Sequence, residues 1–167
     1  MTDKEKLEAL ARPFPANEVA WRIRSVGING SRPWAMVSCY VTNRAVMDRL
    51  DEVFGGGNWR NEFMKWGEHS VLCGLSCRIN GEWVTRWDGA AERGLEAVEG
   101  GFSCAMKRAA VQWGIGRYLY RVEKNFAVCS LSPRTGLGWR RAVTPERRTV
   151  WWRAPLLPAW ALPPEER

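Results

Sequence analysis

Histidine is nearly absent from this chain. The one histidine, His69, sits between Gly67 and Ser70 in what reads as a turn, and a lone turn histidine has none of the partners that acid–base or nucleophilic chemistry requires. No His-Glu-x-x-His and no Cys-x-x-Cys occurs, so the ligand spacings of zinc sites are missing. A Walker-type loop is missing too. Gly114 and Gly116 form a Gly-x-Gly with no Lys-Ser/Thr after it, and Gly55-Gly56-Gly57 follows a helical pattern instead of opening one, the wrong order for a phosphate cradle. ATP-driven work is not expected. No run approaches the roughly 18 apolar residues of a membrane span. The first ten residues are charged and lack the apolar core of a secretion signal. The expected compartment is the cell interior (bacterial cytoplasm, at the nucleoid), where thiols stay reduced.

Acidic residues cluster once, at Asp88, Glu92, Glu96 and Glu99. A spacing near four gives a solvated helix face or an acidic loop more readily than a nuclease metal centre. The five cysteines are odd in number; Cys73 and Cys77, if on one strand, stand about 13 Å apart, too far for a disulfide. No metal, no cofactor and no enzymatic activity are expected.

Positive charge and tryptophan are abundant instead. Lys and Arg number 25 against 18 Asp and Glu, a net charge of +7 and a pI near 9.5, which points to a polyanion and first of all to nucleic acid. The eleven tryptophans are either core residues or stacking platforms for bases. At 167 residues and 46% hydrophobic composition, the chain can bury one ordinary core.

The patterning predicts an α+β fold. Thr2 to Glu5 fits a capping box for a short helix carrying Leu7 and Leu10, ended by Pro13 and Pro15. Val19, Trp21 and Ile23 alternate with Ala20, Arg22 and Arg24, a strand with one apolar and one basic face. Asn29-Gly30 marks a hairpin, with Trp34 to Val41 returning. Thr42 or Asn43 caps a helix whose Val46, Leu50, Val53 and Phe54 face inward, with Asp48, Arg49, Asp51 and Glu52 on the wet side. Trp59 to Gly67 reads as a strand. Val71 to Ile79 and Glu82 to Asp88 form a second hairpin around Asn80-Gly81, and Gly89 to Glu99 reads as a loop or frayed helix start. Phe102, Ala105, Met106, Ala109, Ala110 and Trp113 make a full helical stripe ended by Gly114. Residues 132–167 hold six of the nine prolines and unperiodic Trp139, Trp151, Trp152 and Trp160. They read as an extended Pro/Arg/Trp-rich tail without a core of its own, behind a domain at 1–131.

Three segments carry a family resemblance: Leu10-Ala-Arg-Pro-Phe-Pro-Ala-Asn-Glu-Val-Ala-Trp-Arg22; Cys39-Tyr-Val-Thr-Asn-Arg44 on through Val53-Phe-Gly-Gly-Gly-Asn-Trp59; and Gly101-Phe-Ser-Cys-Ala-Met-Lys-Arg-Ala-Ala-Val-Gln-Trp-Gly-Ile-Gly-Arg-Tyr-Leu-Tyr120. In this order and spacing the chain resembles the Rad52/Rad22 single-strand annealing family, which includes phage annealing proteins and DdrA-like damage-response proteins. The resemblance spans most of residues 7 to 123. It implies an antiparallel β-hairpin sheet (a β-β-β-α core) packed by an amphipathic helix, assembly into a homo-oligomeric ring or filament, and single-stranded DNA held in an outer basic groove. Lys107 and Arg108 match the basic pair of the groove-lining helix, Arg22 a DNA-contacting arginine, and Tyr40 an aromatic at the DNA surface. Arg117 lies in the Gly-Arg-Tyr motif, and Arg24 shares the basic strand face of Arg22. On the residues alone, Lys107-Arg108 reads first as a solvated helix face, while Tyr40 reads equally as strand-end packing. Trp21, Trp59 and Trp113 sit on apolar stripes and read as core. Gly100-Gly101 stands where many relatives keep helix, which places the start of the last helix in question. The partners recruited by the C-terminal region of eukaryotic members are not expected to carry over.

The expected function is ATP-independent binding and annealing of single-stranded DNA in homologous recombination and repair, as a recombinase mediator. A single-strand-binding protein is a partner expected through the tail. The rivals are a binder that protects 3′ ends, a metal-dependent nuclease, and an adaptor whose tail meets a replication protein.

Overall fold

Thr2 and Glu5 close a capping box. The Thr2 hydroxyl accepts from the Glu5 N–H at 3.2 Å and the Glu5 carboxylate accepts from the Thr2 N–H at 2.6 Å, filling donors that a helix start leaves open. The chain then runs through α1 (Asp3–Leu10), β1 (Val19–Asn29), β2 (Arg32–Val41), α2 (Asn43–Phe54), β3 (Trp59–Lys65), β4 (Ser70–Ile79), β5 (Glu82–Ala91), α3 (Ala97–Gln112), β6 (Asn125–Phe126), β7 (Val128–Ser130), β8 (Trp139–Val143) and β9 (Thr149–Arg153). This computed structural model describes residues 1–91, 97–122 and 125–167, and of residues 97–99 the backbone alone. Among the described residues the strands form three three-stranded antiparallel sheets, in the orders β1-β2-β6, β3-β4-β5 and β7-β9-β8. The α+β expectation therefore holds. None of the described helices is long and apolar enough to cross a membrane.

Two compact units result, Met1–Phe14 with Val41–Tyr118, and Pro15–Tyr40 with Leu119–Arg167. In the first, β3, β4 and β5 form a meander. Its second turn is Asn80-Gly81, with φ of 50° and 81°, the pair that a two-residue hairpin favours. Strand alternation puts Val71, Cys73, Leu75 and Cys77 on one face, fully buried. Helix α3 packs on β4 and β5, burying Ala105, Met106, Ala109, Ala110 and Trp113. The Trp113 indole N–H donates to the Leu75 carbonyl at 3.0 Å, and Phe102 meets Phe63 edge-on at 4.9 Å. Both strand thiols are free, and burial pushes Cys73 up to about 11 and Cys77 up to about 12. On the opposite face Trp87 lies across Gly74, where a Cβ would come within 2.7 Å of the indole. Trp83 stands between the guanidiniums of Arg60 and Arg78, at 4.6 and 5.8 Å.

Three details of this unit depart from the patterning. Strand β5 runs on to Ala91 because β4 offers partners to its end, Gly89 opposite Leu72 and Ala91 opposite Ser70. The rest of the expected loop includes Glu92 and Glu96, which lie outside the described residues. Helix α3 begins at Ala97 and passes through Gly100-Gly101, with Gly101 buried. Arg49, expected on the wet side of α2, is buried. Its guanidinium donates to the carbonyls of Ala9, Leu10 and Arg12 at 3.2, 3.4 and 2.8 Å, stacks on Phe14 at 4.1 Å and pairs with Glu52 at 3.4 Å. The carbonyls at the end of α1 need donors, and Arg49 supplies them.

In the second unit Trp21, Ala35, Val37 and Trp152 share a core with partly buried Ile23, Cys39, Cys129 and Leu157. Strand β6 pairs with β2, Met36 opposite Phe126. Strand β9 lies between β7 and β8 and buries Val150 and Trp152. Residues 132–167 are thus folded where an extended tail was expected. They have no separate core because their apolar side chains complete one begun by β1 and β2. Trp151 and Trp152 face opposite ways, and that hides the alternation in the sequence.

Arg49→Ala would take this donor from three carbonyls, of which Ala9 keeps the Arg12 N–H at 3.3 Å. Unfolding in urea should show a loss of about 3 kcal/mol with the m-value unchanged.

Candidate nucleic-acid interface

The alternation of β1 leaves Arg22 and Arg24 exposed while Trp21 is buried. Tyr40, next to the end of β2, is half-buried, and the Arg22 guanidinium lies 5.5 Å from its ring centroid. Such a pair keeps a cation beside an aromatic face, the two groups a nucleotide uses. Arg22 and Tyr40, far apart in sequence, are thus brought together, and Arg24 follows two residues along on the same face, about 7 Å away.

Lys107 and Arg108 lie on α3, half-buried and exposed respectively. The stripe of Ala105, Met106, Ala109 and Ala110 faces the sheet, so the intervening pair is carried to the flank. Arg108 Nε donates to Asp88 Oδ1 at 3.0 Å. Asp88 also accepts from the Gly89 N–H at 2.7 Å and from the Gln112 amide at 3.3 Å. Burial pushes the Asp88 carboxyl up, but the hydrogen bonds of Gly89, Gln112 and Arg108, with the Arg108 charge, outweigh it and hold the group below its ordinary value. Asp88 is the site residue that sequence reasoning missed. It stood in an acidic run, and only the register, Asp88 opposite Cys73, turns it toward α3.

Arg117 follows α3 in a short 3-10 turn. Its Nε donates to the Val111 carbonyl at 2.9 Å and its Nη2 to the Gln112 carbonyl at 2.7 Å; Arg86 also donates to Gln112. These two arginines cap the helix end, where cations are favoured. Gly114, with φ of 99°, reverses the chain there, which is why the Gly-x-Gly belongs to a helix stop. Tyr118 accepts from the Phe14 N–H at 2.9 Å. Trp113 and Trp21 are buried, Trp59 donates to Asp51 at 2.6 Å, and Trp66 stands 66% exposed. His69 is exposed beside Glu68.

Fold and site together define an α+β protein whose three-stranded meander is crossed by a helix bearing adjacent cations on its flank. The chain belongs to the Rad52/22 family of double-strand break repair proteins, matched over residues 4–137. It is also similar to the single-stranded DNA-binding protein DdrA of Deinococcus radiodurans, 35% identical over 161 residues, which is 95% of this chain and 68% of that protein. The DdrA of Deinococcus deserti is 34% identical over 160 residues, 95% of this chain and 70% of the relative.

Asp88 competes with any phosphate for Arg108. Asp88→Asn should tighten binding of a single-stranded oligonucleotide, about threefold at low salt, with the gain fading as salt rises; anisotropy titration measures it. Because its folded-state pKa is depressed, Asp88 adds stability above the ordinary carboxylate range that is lost as pH falls through the folded value. Asp88→Asn should therefore flatten the acid limb of the stability curve.

Proposed function

We propose that this protein binds single-stranded DNA and pairs complementary strands without ATP, in homologous recombination and repair, acting as a ring or filament of identical subunits in the bacterial cytoplasm. The observation that carries the reading is the Lys107-Arg108 pair on the flank of α3, which the resemblance matches to the basic pair of a DNA-binding helix. Family membership and the two DdrA relatives support the choice of DNA. Arg22 beside Tyr40, with Arg24, supplies a second group of contacts.

Annealing makes and breaks no covalent bond. Two polyanions have to be brought together, and one has to be displayed with its bases free. Arg22, Lys107 and Arg108 meet phosphates and release counterions, the arginines through a planar fork that fits two oxygens. Phosphate contacts carry no sequence information, so binding is sequence-independent and the base edges stay open to a second strand. Repetition around an oligomer multiplies weak contacts into a firm grip.

Two complementary labelled oligonucleotides, mixed with the protein without ATP or metal, should pair faster than in its absence. Lys107→Ala combined with Arg108→Ala should keep the circular dichroism spectrum, weaken binding, and lower the salt slope by about 1.4, or about 0.7 per lost phosphate contact on a single strand. Strands that bind but pair no faster would mark an end-coating protein; strands that do not bind would sink the reading.

A further inference from the structure

We infer that the outer face of the β7-β9-β8 sheet, in the second unit, is a second single-stranded nucleic-acid surface, on which bases stack. Strands β8 and β9 lie beyond the segment that matches the family, which ends at residue 137. Val150 and Trp152 of β9 point into the core, so alternation turns Trp151 and Arg153 to the other face. Register then sets Arg141 opposite Trp151 and Trp139 opposite Arg153. The Trp139 ring has two guanidiniums over it, Arg153 at 5.4 Å and Arg134 at 5.8 Å. Both tryptophans are half-buried, so part of each side chain stays open to solvent.

The electrostatics of this face are one-signed. Among the described residues, Arg134, Arg141 and Arg153 form no ion pair with a carboxylate. On strands β8 and β9 the chain has three arginines and no acid, and all but Arg140 of these turn to this face. A face carrying cations without counter-charges, interleaved with indoles on a sheet, is complementary to a polyanion with flat apolar groups. Diagonal neighbours across two strands stand about 7–8 Å apart, far enough for Trp139 and Trp151 to take separate bases. Stacking needs bases released from pairing, which selects single strands, and every base has a face to stack, which makes the surface tolerant of sequence. The choice of DNA as the polyanion rests on the function proposed above; the surface itself rests on the sheet.

The experiment uses the full chain and an oligo-dT probe, with and without 5-iododeoxyuridine in place of thymidine for photo-cross-linking. Arg141→Ala combined with Arg153→Ala should lower the salt slope by about 1.4. Trp151→Ala should weaken binding about tenfold and Trp151→Phe much less, since an aromatic face is retained. Cross-links should map to Trp139 or Trp151. Folded Arg141→Ala/Arg153→Ala protein with unchanged affinity and slope, and cross-links confined to other segments, would overturn the surface while the proposed function stands. A wild-type chain that binds no oligonucleotide at low salt would overturn both. Should Trp151→Ala fail to fold, the arginine variant and the cross-link map decide.

Discussion

The close approach of α3 to β4 sets the geometry of the first unit. Ala105, Ala109 and Ala110 present little more than methyl groups, so the helix axis can come near a strand whose own inward side chains are Cys73, Leu75 and Cys77. A larger residue at any of these positions would overfill the layer at a cost of about 1–3 kcal/mol. Trp113 fixes the helix along its length by a bond to Leu75, and Arg86 and Arg117 close its end. With depth, position and terminus determined, the rotation of the helix is determined too, and so is the place of Lys107 and Arg108. The two cations are held in place by small, buried neighbours.

Much of this was legible in the sequence because it depends on local period. The buried face of α2, the stripe of α3, the Asn80-Gly81 turn and the Thr2–Glu5 box each follow from spacing within a dozen residues, and each stands in the structure. What could not be read depends on distant partners. Arg49 looks like any solvent-side arginine of an amphipathic helix; its burial is decided by carbonyls about forty residues earlier in the chain. The strands of residues 139–153 were masked by prolines and by two adjacent tryptophans. The Arg108–Asp88 pair needs the β5 register. The family resemblance named Arg22 and Tyr40 as separate positions, and only the structure sets one against the other.

Arginine does several jobs in this chain, and its count overstates the charge free for a polyanion. Arg49 is spent on carbonyls, Arg86 and Arg117 on a helix end, and Arg140 on the Trp21 carbonyl and the Trp152 ring. Guanidinium suits these roles because it is weakly hydrated, planar and rich in donors. The same properties let Arg134 and Arg153 rest on an indole while both residues stay exposed. In the described structure the positive residues therefore divide into those that hold the fold and those that remain on offer.

The second unit is assembled from the two ends of its sequence span: Trp21 leaves the ribosome about 130 residues before the Trp152 that completes its core. Until then the β1–β2 hairpin has an uncovered apolar face, and closing so long a loop is slow compared with forming a local hairpin. A nascent chain therefore carries a sticky, half-built sheet until Trp152 has been made. Deleting residues 139–153 does not remove a module; it strands that sheet permanently without its cover.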